Sequence, residues 1–201
     1  MKEAIDFWFD FSSPYSYLLS EKIDDLAARH DRQVRWHPIL LGIVFKATGS
    51  APLTLQFPPK ATYSILDFQR SARYMGIPYR HPDKFPLATQ HAARAYYWLD
   101  GRDGALARRF GHAVFRALFA ENRDVSAPET VLELAASLGI ERTELEAGMQ
   151  SEPMKARLKE EVETALRLGI FGAPYVVIDG EPFFGADRLP QIEQWLATGG
   201  F

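Results

Sequence analysis

The segment Ser13-Pro14-Tyr15-Ser16 places two hydroxyl groups where an apolar helical pattern begins. The first backbone N–H groups of a helix have no partner within it and carry about half a positive charge. A thiolate, carboxylate or phosphate is therefore stabilised at such a point, and a serine hydroxyl can donate one further hydrogen bond. Serine is also a preferred N-cap residue, so Ser12 or Ser13 could serve only to start the helix. The local sequence leaves both interpretations open.

A second segment, Phe171-Gly172-Ala173-Pro174-Tyr175, places a proline directly before an apolar stretch and behind two small residues. This arrangement is compatible with a tight turn that contains a cis peptide bond at Pro174. Trans bonds are far more common before proline, so the segment by itself leaves the isomer open.

Cysteine is absent from the whole sequence, which excludes disulfides, a catalytic thiol and thiolate metal ligands. Any thiol chemistry at the Ser13 segment must use a sulfur atom from another molecule. The five histidines do not pair at metal-ligand spacing, so we expect no metal site. They are His30, His37, His81, His91 and His112.

The composition is that of an ordinary globular protein with one or two domains. Of the 201 residues, 47% are hydrophobic and 24% are charged. The net charge of −3 argues against nucleic acid as a partner, because nucleic-acid-binding proteins usually have an excess of basic residues. No secretory signal follows Met1, and no apolar run approaches the ~20 residues of a membrane span. We therefore expect a cytoplasmic protein with no membrane contact.

Hydrophobic periodicity predicts a β-α-β unit at the start of the chain. Residues 4–11 alternate as a strand does, residues from Pro14 to about Arg29 follow helical spacing, and Val34 to Pro38 alternate again. Glycines and prolines predict a loop over residues 40–60. Helical spacing then dominates from about residue 61 to residue 169.

Four local signals predict where later elements begin and end. Ser126 starts a capping-box pattern ahead of a helix that Gly139 would end. A further helix would end at Gly169, and residues 175–178 form a short β-branched run. Asp179-Gly180 is typical of a hairpin turn before a return strand over residues 181–184. Asp187 is predicted to cap the last helix.

The order of elements is therefore β-α-β, a helical block and α-β-β-α. It predicts an α/β protein in which a thioredoxin-like domain, residues 1–60 and 153–201, carries a large all-helical insertion over residues 61–152. In the thioredoxin-type plan a Cys-Pro-x-Cys motif begins the first helix and faces a cis-proline loop. Both cysteine positions of that motif are serine in this chain.

Three motifs narrow the resemblance from the general thioredoxin-type plan to a particular family. The segment from Asp10 to Leu18 resembles the F-D-x-x-S-P-Y-S-[YW]-L opening of the kappa-class glutathione transferases and 2-hydroxychromene-2-carboxylate isomerases, which have a DsbA-like thioredoxin fold. Residues 169–174 resemble the G-x-F-G-x-P loop of that family, and residues 184–189 resemble its [WF]-G-[NS]-D-R-L element. The motifs occur in the same order and span the whole chain.

The resemblance implies glutathione as cosubstrate and assigns roles to individual residues. Ser13 would stabilise the glutathione thiolate, and the backbone of Ala173 would hold the cysteinyl unit. Asp187 would pair with the γ-glutamyl ammonium group. The loop around Ser50 and Pro58 would close the site. The remaining members of the implied glutathione site are Pro14, Tyr15, Pro174, Ala186 and Arg188.

Two departures from the family pattern bear on glutathione affinity. Ala186 stands where the family commonly has Asn or Ser, and Ser50 stands where it often has Asn. Each lost side-chain hydrogen bond costs roughly 0.5–1.5 kcal/mol. Lys46 and Lys60 are candidate partners for carboxylates of glutathione or substrate, but their spacing alone favours a surface charge at both positions. Candidate aromatic contacts for a substrate are Phe45, Phe57, Tyr96, Tyr97 and Trp98.

The resemblance implies a glutathione-dependent isomerase that converts 2-hydroxychromene-2-carboxylate-type substrates, small aromatic carboxylates, into trans-o-hydroxybenzylidenepyruvate-type products. Two alternatives remain open. One is a kappa-type glutathione transferase or peroxidase that acts on another electrophile. The other is a thioredoxin-fold module that only binds a partner. The resemblance also implies a homodimer.

Overall fold

The computed structural model describes residues 3–201. Its four strands are β1 (Ile5–Phe9), β2 (Val34–Pro38), β3 (Tyr175–Ile178) and β4 (Glu181–Phe184). The helices in this range are α1 (Pro14–Arg29), α2 (Leu41–Thr48), α3 (Pro58–Met75), α4 (Gln90–Asp100), α5 (Gly104–Phe119), α6 (Pro128–Ser137), α7 (Arg142–Gln150), α8 (Glu152–Arg167) and α9 (Leu189–Thr198). None of the helices described is long and apolar enough to cross a membrane.

The strands form one mixed sheet in the order β2-β1-β3-β4. Strand β1 runs parallel to β2 and antiparallel to β3, and β3 and β4 form the predicted hairpin. Asp179 and Gly180 both have positive φ, 53° and 88°, as expected for the turn that matches the twist of a hairpin. The predicted β-α-β opening and the final β-β-α unit are thus confirmed.

Both faces of the sheet are covered. On one face, Phe9 of β1 packs against the buried ring of Phe115 from α5, with the ring centroids 5.4 Å apart, and Trp36 of β2 lies 5.0 Å from the ring of His112, also on α5. On the other face, Trp8 is only 3% exposed and stacks on His37, which contacts α8 through Glu161. Helices α3–α7 follow β2 in the chain and precede α8, in agreement with a helical insertion. The boundaries at residues 61 and 152 stay a prediction.

The loop predicted over residues 40–60 is wrong. Helix α2 occupies residues 41–48, a 3-10 turn occupies residues 53–55, and α3 begins at Pro58. Proline is tolerated in the first turn of a helix, so Pro58 starts α3 instead of excluding it. Gly49 has φ of 71° and ends α2 as a left-handed cap. The N-terminal cap of α2 comes from Asp10, and no neighbouring residue indicates it.

Three finer predictions also need correction. Residues 76–89, within the predicted helical block, contain no helix and include a cis bond before Pro86. Ser126 bonds the Asp124 carboxylate instead of capping α6, whose N-cap is Ala127. Asp187 lies in a 3-10 turn, so α9 begins only at Leu189 without a side-chain cap. The Ser126 hydroxyl is already bonded to Asp124, and the 3-10 turn Ala186–Arg188 includes Asp187 before α9 begins.

Candidate active site

Ser13 caps α1 and also contacts a distant loop. Its Oγ accepts a hydrogen bond from the Ser16 N–H at 3.2 Å and donates one to the carbonyl oxygen of Ala173, also at 3.2 Å. The side chain lies in a buried position, with Ser13 only 5% exposed. The cap interpretation is therefore correct, and the same hydroxyl faces a residue 160 positions away.

The loop before β3 places the Ala173 carbonyl opposite Ser13. The Ala173–Pro174 bond is cis, which the sequence left open. The Gly185 N–H donates to the Pro174 carbonyl at 3.0 Å and fixes the loop against β4. Gly172 packs closely against Phe184, since a Cβ atom at this position would lie 2.7 Å from the ring and would displace it. The start of α1 and the proline loop thus meet, as the thioredoxin plan requires.

A cavity of about 330 Å³ opens beside Ser13 and Ala173, and apolar groups make up most of its wall. The wall comes from the β1–α1 loop, α2, the 3-10 turn, α3 and the segment before α4. Its residues are Asp10, Ser12, Ser13, Pro14, Tyr15, Leu41, Gly42, Phe45, Pro52, Leu53, Thr54, Phe68, Phe85, Pro86, Leu87, Ala88 and Ala173. A pocket of this size and character suits a small aromatic molecule with few polar groups.

Asp10 holds three parts of this wall together. Its carboxylate accepts hydrogen bonds from the Ser12 N–H (2.8 Å), the Leu41 N–H (2.7 Å) and the Thr89 hydroxyl (2.8 Å). Burial raises the pKa of the Asp10 carboxyl, although these three hydrogen bonds oppose the shift. In addition, the Ser12 hydroxyl oxygen accepts the Leu87 N–H at 2.9 Å. The β1–α1 loop therefore positions both α2 and the segment before α4.

Sequence reasoning assigned Asp10 to a family motif but gave it no role, and it missed Thr89. A buried position for Asp10 could be inferred from its place at the end of an apolar strand. Its partners lie 31 and 79 residues away, and no local pattern indicates such pairs.

Tyr15 connects the start of α1 to α3 at the cavity. Its hydroxyl donates to Asp67 at 2.5 Å, and its ring meets Phe68 edge-on at 5.0 Å. Burial, and next the hydrogen bond to the Asp67 carboxylate, raise the pKa of Tyr15. The phenol therefore stays protonated, and its proton is directed to Asp67 instead of the cavity.

The other predicted residues lie outside the cavity wall. Ser50 and Pro58 are exposed at the end of α2 and the start of α3, and the neighbouring residues Pro52 to Thr54 contribute to the wall instead. Asp187 is largely exposed and pairs with Arg188 at 3.4 Å. Pro174, Ala186 and the exposed Lys46 and Lys60 are likewise absent from the wall. Glutathione contacts for this set stay predictions.

Of the aromatic residues predicted to contact a substrate, one lies in the cavity wall and the others do not. Phe45 lines the cavity, whereas Phe57 is exposed at the start of α3. Tyr96, Tyr97 and Trp98 belong to the buried core around α4. Residues 3–201 contain no cluster of histidine and acidic residues that could hold a metal ion.

Chemically, the site offers one serine hydroxyl, the start of a helix and an apolar cavity. Pro14 has no N–H and the Ser16 N–H is taken by Ser13, so within residues 14–16 the N–H of Tyr15 is left for a ligand. This donor set fits the sulfur of an external thiol, since a thiolate is stabilised at a helix N-terminus.

Comparison with known proteins gives a consistent result over the full chain. Residues 4–197 match the model of the DSBA-like thioredoxin domain family. The chain is 29% identical to a 2-hydroxychromene-2-carboxylate isomerase of Sphingobium xenophagum, covering 98% of this chain and 99% of that protein. It is 28% identical to glutathione S-transferase kappa 2 of Caenorhabditis elegans, covering 98% and 92%.

A solved structure of 2-hydroxychromene-2-carboxylate isomerase superposes on the chain with a TM-score of 0.87. The two are 28% identical, and the match covers 96% of this chain and 94% of that one.

Proposed function

We propose that this chain, which belongs to the DSBA-like thioredoxin domain family, is a glutathione-dependent isomerase of 2-hydroxychromene-2-carboxylate-type compounds, in keeping with its similarity to such isomerases over nearly its whole length. The observation that carries the proposal is the position of the Ser13 hydroxyl, at the start of α1, opposite Ala173 and in the wall of an apolar cavity. With no cysteine in the sequence, the family's thiol chemistry requires an external sulfur.

The chain's own residues would bind and orient both reactants. Ser13 and the Tyr15 N–H would hold the sulfur, and the cavity wall around Phe45 and Phe68 would hold the aromatic ring away from water. When bound, glutathione supplies a thiolate that adds to a conjugated carbon and leaves again after rotation about the former double bond. Positioning and thiolate stabilisation are the two contributions of the protein.

The balance of this reaction needs no oxidant and no metal, because substrate and product are isomers and the thiol is regenerated. A kappa-type transferase or peroxidase would use the same sulfur site with another electrophile and would consume the thiol. A module that only binds a partner would need no thiol. A cytoplasmic location and a homodimeric assembly are part of our proposal.

Calorimetric titration of glutathione, followed by a turnover assay, tests the proposal. We expect wild-type protein to bind glutathione and to convert 2-hydroxychromene-2-carboxylate to the trans product only when glutathione is present, with the glutathione concentration unchanged. Ser13→Ala should keep most of the affinity and lose at least tenfold in turnover, since a hydrogen bond to a charged group contributes about 1.5–3 kcal/mol.

Each alternative predicts a different result. Consumption of glutathione with a second electrophile, such as an aryl halide, and no isomerisation would identify a transferase. Absence of glutathione binding at ~10 mM, which corresponds to less than 3 kcal/mol, would contradict both enzyme functions.

A further inference from the structure

The wall of the cavity beside Ser13 provides no cation for a charged ligand group. Among the described residues of this wall there is no lysine, arginine or histidine. The one carboxylate of the wall belongs to Asp10, which is 4% exposed and already accepts three hydrogen bonds from the protein. An ionised group inside the cavity would lose its hydration without gaining a partner. The cavity therefore favours the uncharged part of a ligand.

One hydroxyl group of the wall differs from the others in having no partner. The hydroxyl groups of Ser12, Ser13 and Tyr15 form hydrogen bonds within the protein. The Thr54 Oγ1 is buried, and the part of the chain that the structure describes provides it with no hydrogen-bond partner. A buried hydroxyl in this state is unfavourable. Thr54 is therefore the wall residue that gains most from a polar group on a ligand.

Thr54 is placed so that its hydroxyl can turn into the cavity. The residue lies in the 3-10 turn Leu53–Leu55, between α2 and α3, and lines the cavity. Rotation about its Cα–Cβ bond moves the hydroxyl and the methyl group between staggered positions. The hydroxyl can donate one hydrogen bond and accept two, so an uncharged oxygen atom is a matching ligand group.

The proposed substrate has three kinds of oxygen atom, and one of them fits this position. The carboxylate is disfavoured because the described wall has no cation. The hemiketal hydroxyl is bonded to the carbon that carries the carboxylate, so it stays near that group. The ring oxygen is bonded directly to the aromatic ring and enters an apolar cavity together with it.

We propose that Thr54 is a specificity-determining residue that forms a hydrogen bond with the oxygen atom carried by the aromatic ring of the substrate, while the carboxylate lies at the mouth of the cavity. The inference rests on the proposed function, in which the substrate is of the 2-hydroxychromene-2-carboxylate type. It narrows the substrate class to aryl compounds with an oxygen atom on the ring. In the product this oxygen is a phenol, with which the Thr54 hydroxyl can still form a hydrogen bond.

The test uses three ligands of equal length, titrated by calorimetry without glutathione so that no reaction occurs. They are 2-hydroxybenzylideneacetone, benzylideneacetone, which lacks the phenol, and trans-benzylidenepyruvate, in which a carboxylate replaces the terminal methyl group of benzylideneacetone. We expect wild-type protein to bind the phenol about threefold to tenfold more tightly than benzylideneacetone. Benzylideneacetone and benzylidenepyruvate should differ by less than about threefold, because the carboxylate stays in water.

The Thr54→Val variant shows whether the preference for the phenol depends on the hydroxyl. Valine keeps the shape of the side chain, so the two uncharged ligands should bind this variant with equal affinity. The Tm of Thr54→Val should be no lower than that of wild type, since the hydroxyl that is removed has no partner in the free protein. Thr62→Val, at an exposed position on α3, is the matched control and should keep the wild-type preference.

Four results would overturn the inference. They are a preference for the phenol that persists in Thr54→Val, a lower Tm for that variant, a loss of tenfold or more in affinity when the carboxylate is absent, and no binding of any ligand at ~10 mM. Glutathione-dependent isomerisation that continues alongside such a result would leave the proposed function intact. Conversely, a preference for the phenol that requires Thr54, in a protein that does not bind glutathione, would support the inference and contradict the proposed function.

Discussion

The Ser13 side chain caps a helix and at the same time faces a second loop in the cavity wall. A lone pair of its Oγ serves the Ser16 N–H, and its proton serves the Ala173 carbonyl. The sequence left both interpretations of this segment open because the contact with Ala173 has no local signature. The partner across the site comes from the other end of the chain.

The Thr89→Val substitution tests the Asp10 contacts at the residue scale. Valine keeps the shape of a side chain that is 2% exposed but removes the hydroxyl that donates to the buried Asp10 carboxylate at 2.8 Å. We expect the free energy of unfolding, measured by urea denaturation, to fall by about 1.5–3 kcal/mol.

The matched control is Thr130→Val on α6, for which the described part of the chain provides no hydrogen-bond partner. That substitution should change the free energy of unfolding by less than about 0.5 kcal/mol. Equal losses in the two variants would show that the Asp10–Thr89 hydrogen bond makes no special contribution.

At the scale of elements, the sheet is joined to α8 by a charged network around His37. One ring nitrogen of His37 lies 2.9 Å from Asp6 on β1, and the other lies 3.3 Å from Glu161 on α8. Arg35 pairs with Asp6 at 2.9 Å, and Arg157 pairs with Glu161 at 2.5 Å. Desolvation lowers the pKa of His37, but hydrogen bonds and charge from the two carboxylates outweigh it, so its pKa is raised overall.

The raised pKa of His37 determines the direction in which its contribution to the free energy of unfolding changes with pH. A histidine whose pKa is higher in the folded than in the unfolded state stabilises the fold fully below its unfolded pKa of about 6.5. The contribution is lost as the pH rises through the higher folded value. Chemical denaturation should therefore show that His37→Gln reduces the free energy of unfolding by about 2 kcal/mol at pH 6 and by less at pH 9.

His91 offers a control with the opposite sign. Burial, with a smaller contribution from Arg94, lowers the pKa of His91. Protonation of His91 therefore opposes folding, and His91→Gln should become relatively more stabilising as the pH falls below about 6.5. A pH-independent loss in His37→Gln would refute the charged state assigned to His37.

At the scale of the whole molecule, the packing of helices α3–α7 depends on a close approach between α4 and α7. Gly148 on α7 faces the buried Trp98 of α4, and a Cβ atom at Gly148 would lie 2.0 Å from the indole nitrogen. Arg102 covers the other part of the indole, with its guanidinium carbon 3.6 Å from the ring centroid. The ring therefore has little room to move.

We expect Gly148→Ala to reduce the free energy of unfolding by about 1–3 kcal/mol, as overpacking of a core does. Thermal denaturation measures this as a lower Tm. Gly104→Ala is the matched control, because a Cβ atom there meets its nearest neighbour at 3.5 Å in ordinary contact. A Tm for Gly148→Ala equal to that of wild type would show that the two helices separate easily.

Much of the fold could be predicted from the sequence, because the patterns that indicate its strands, helices and turns involve residues close together in the chain. Alternation over residues 4–11, the helix ending at Arg29 and the Asp179-Gly180 turn each depend on residues within a few positions of one another. The absence of cysteine likewise means that any thiol chemistry at the Ser13 segment must use an external sulfur.

Only the tertiary structure decided how the cavity is built. Helix α2 begins where a carboxylate of the β1–α1 loop caps it, the segment before α4 is held through Ser12 and Thr89, and the Ser13 hydroxyl donates to Ala173. Each of these contacts joins residues more than 30 positions apart. Hydrogen bonds between distant segments depend on how the elements pack, so periodicity and capping rules, which compare neighbours along the chain, cannot predict them.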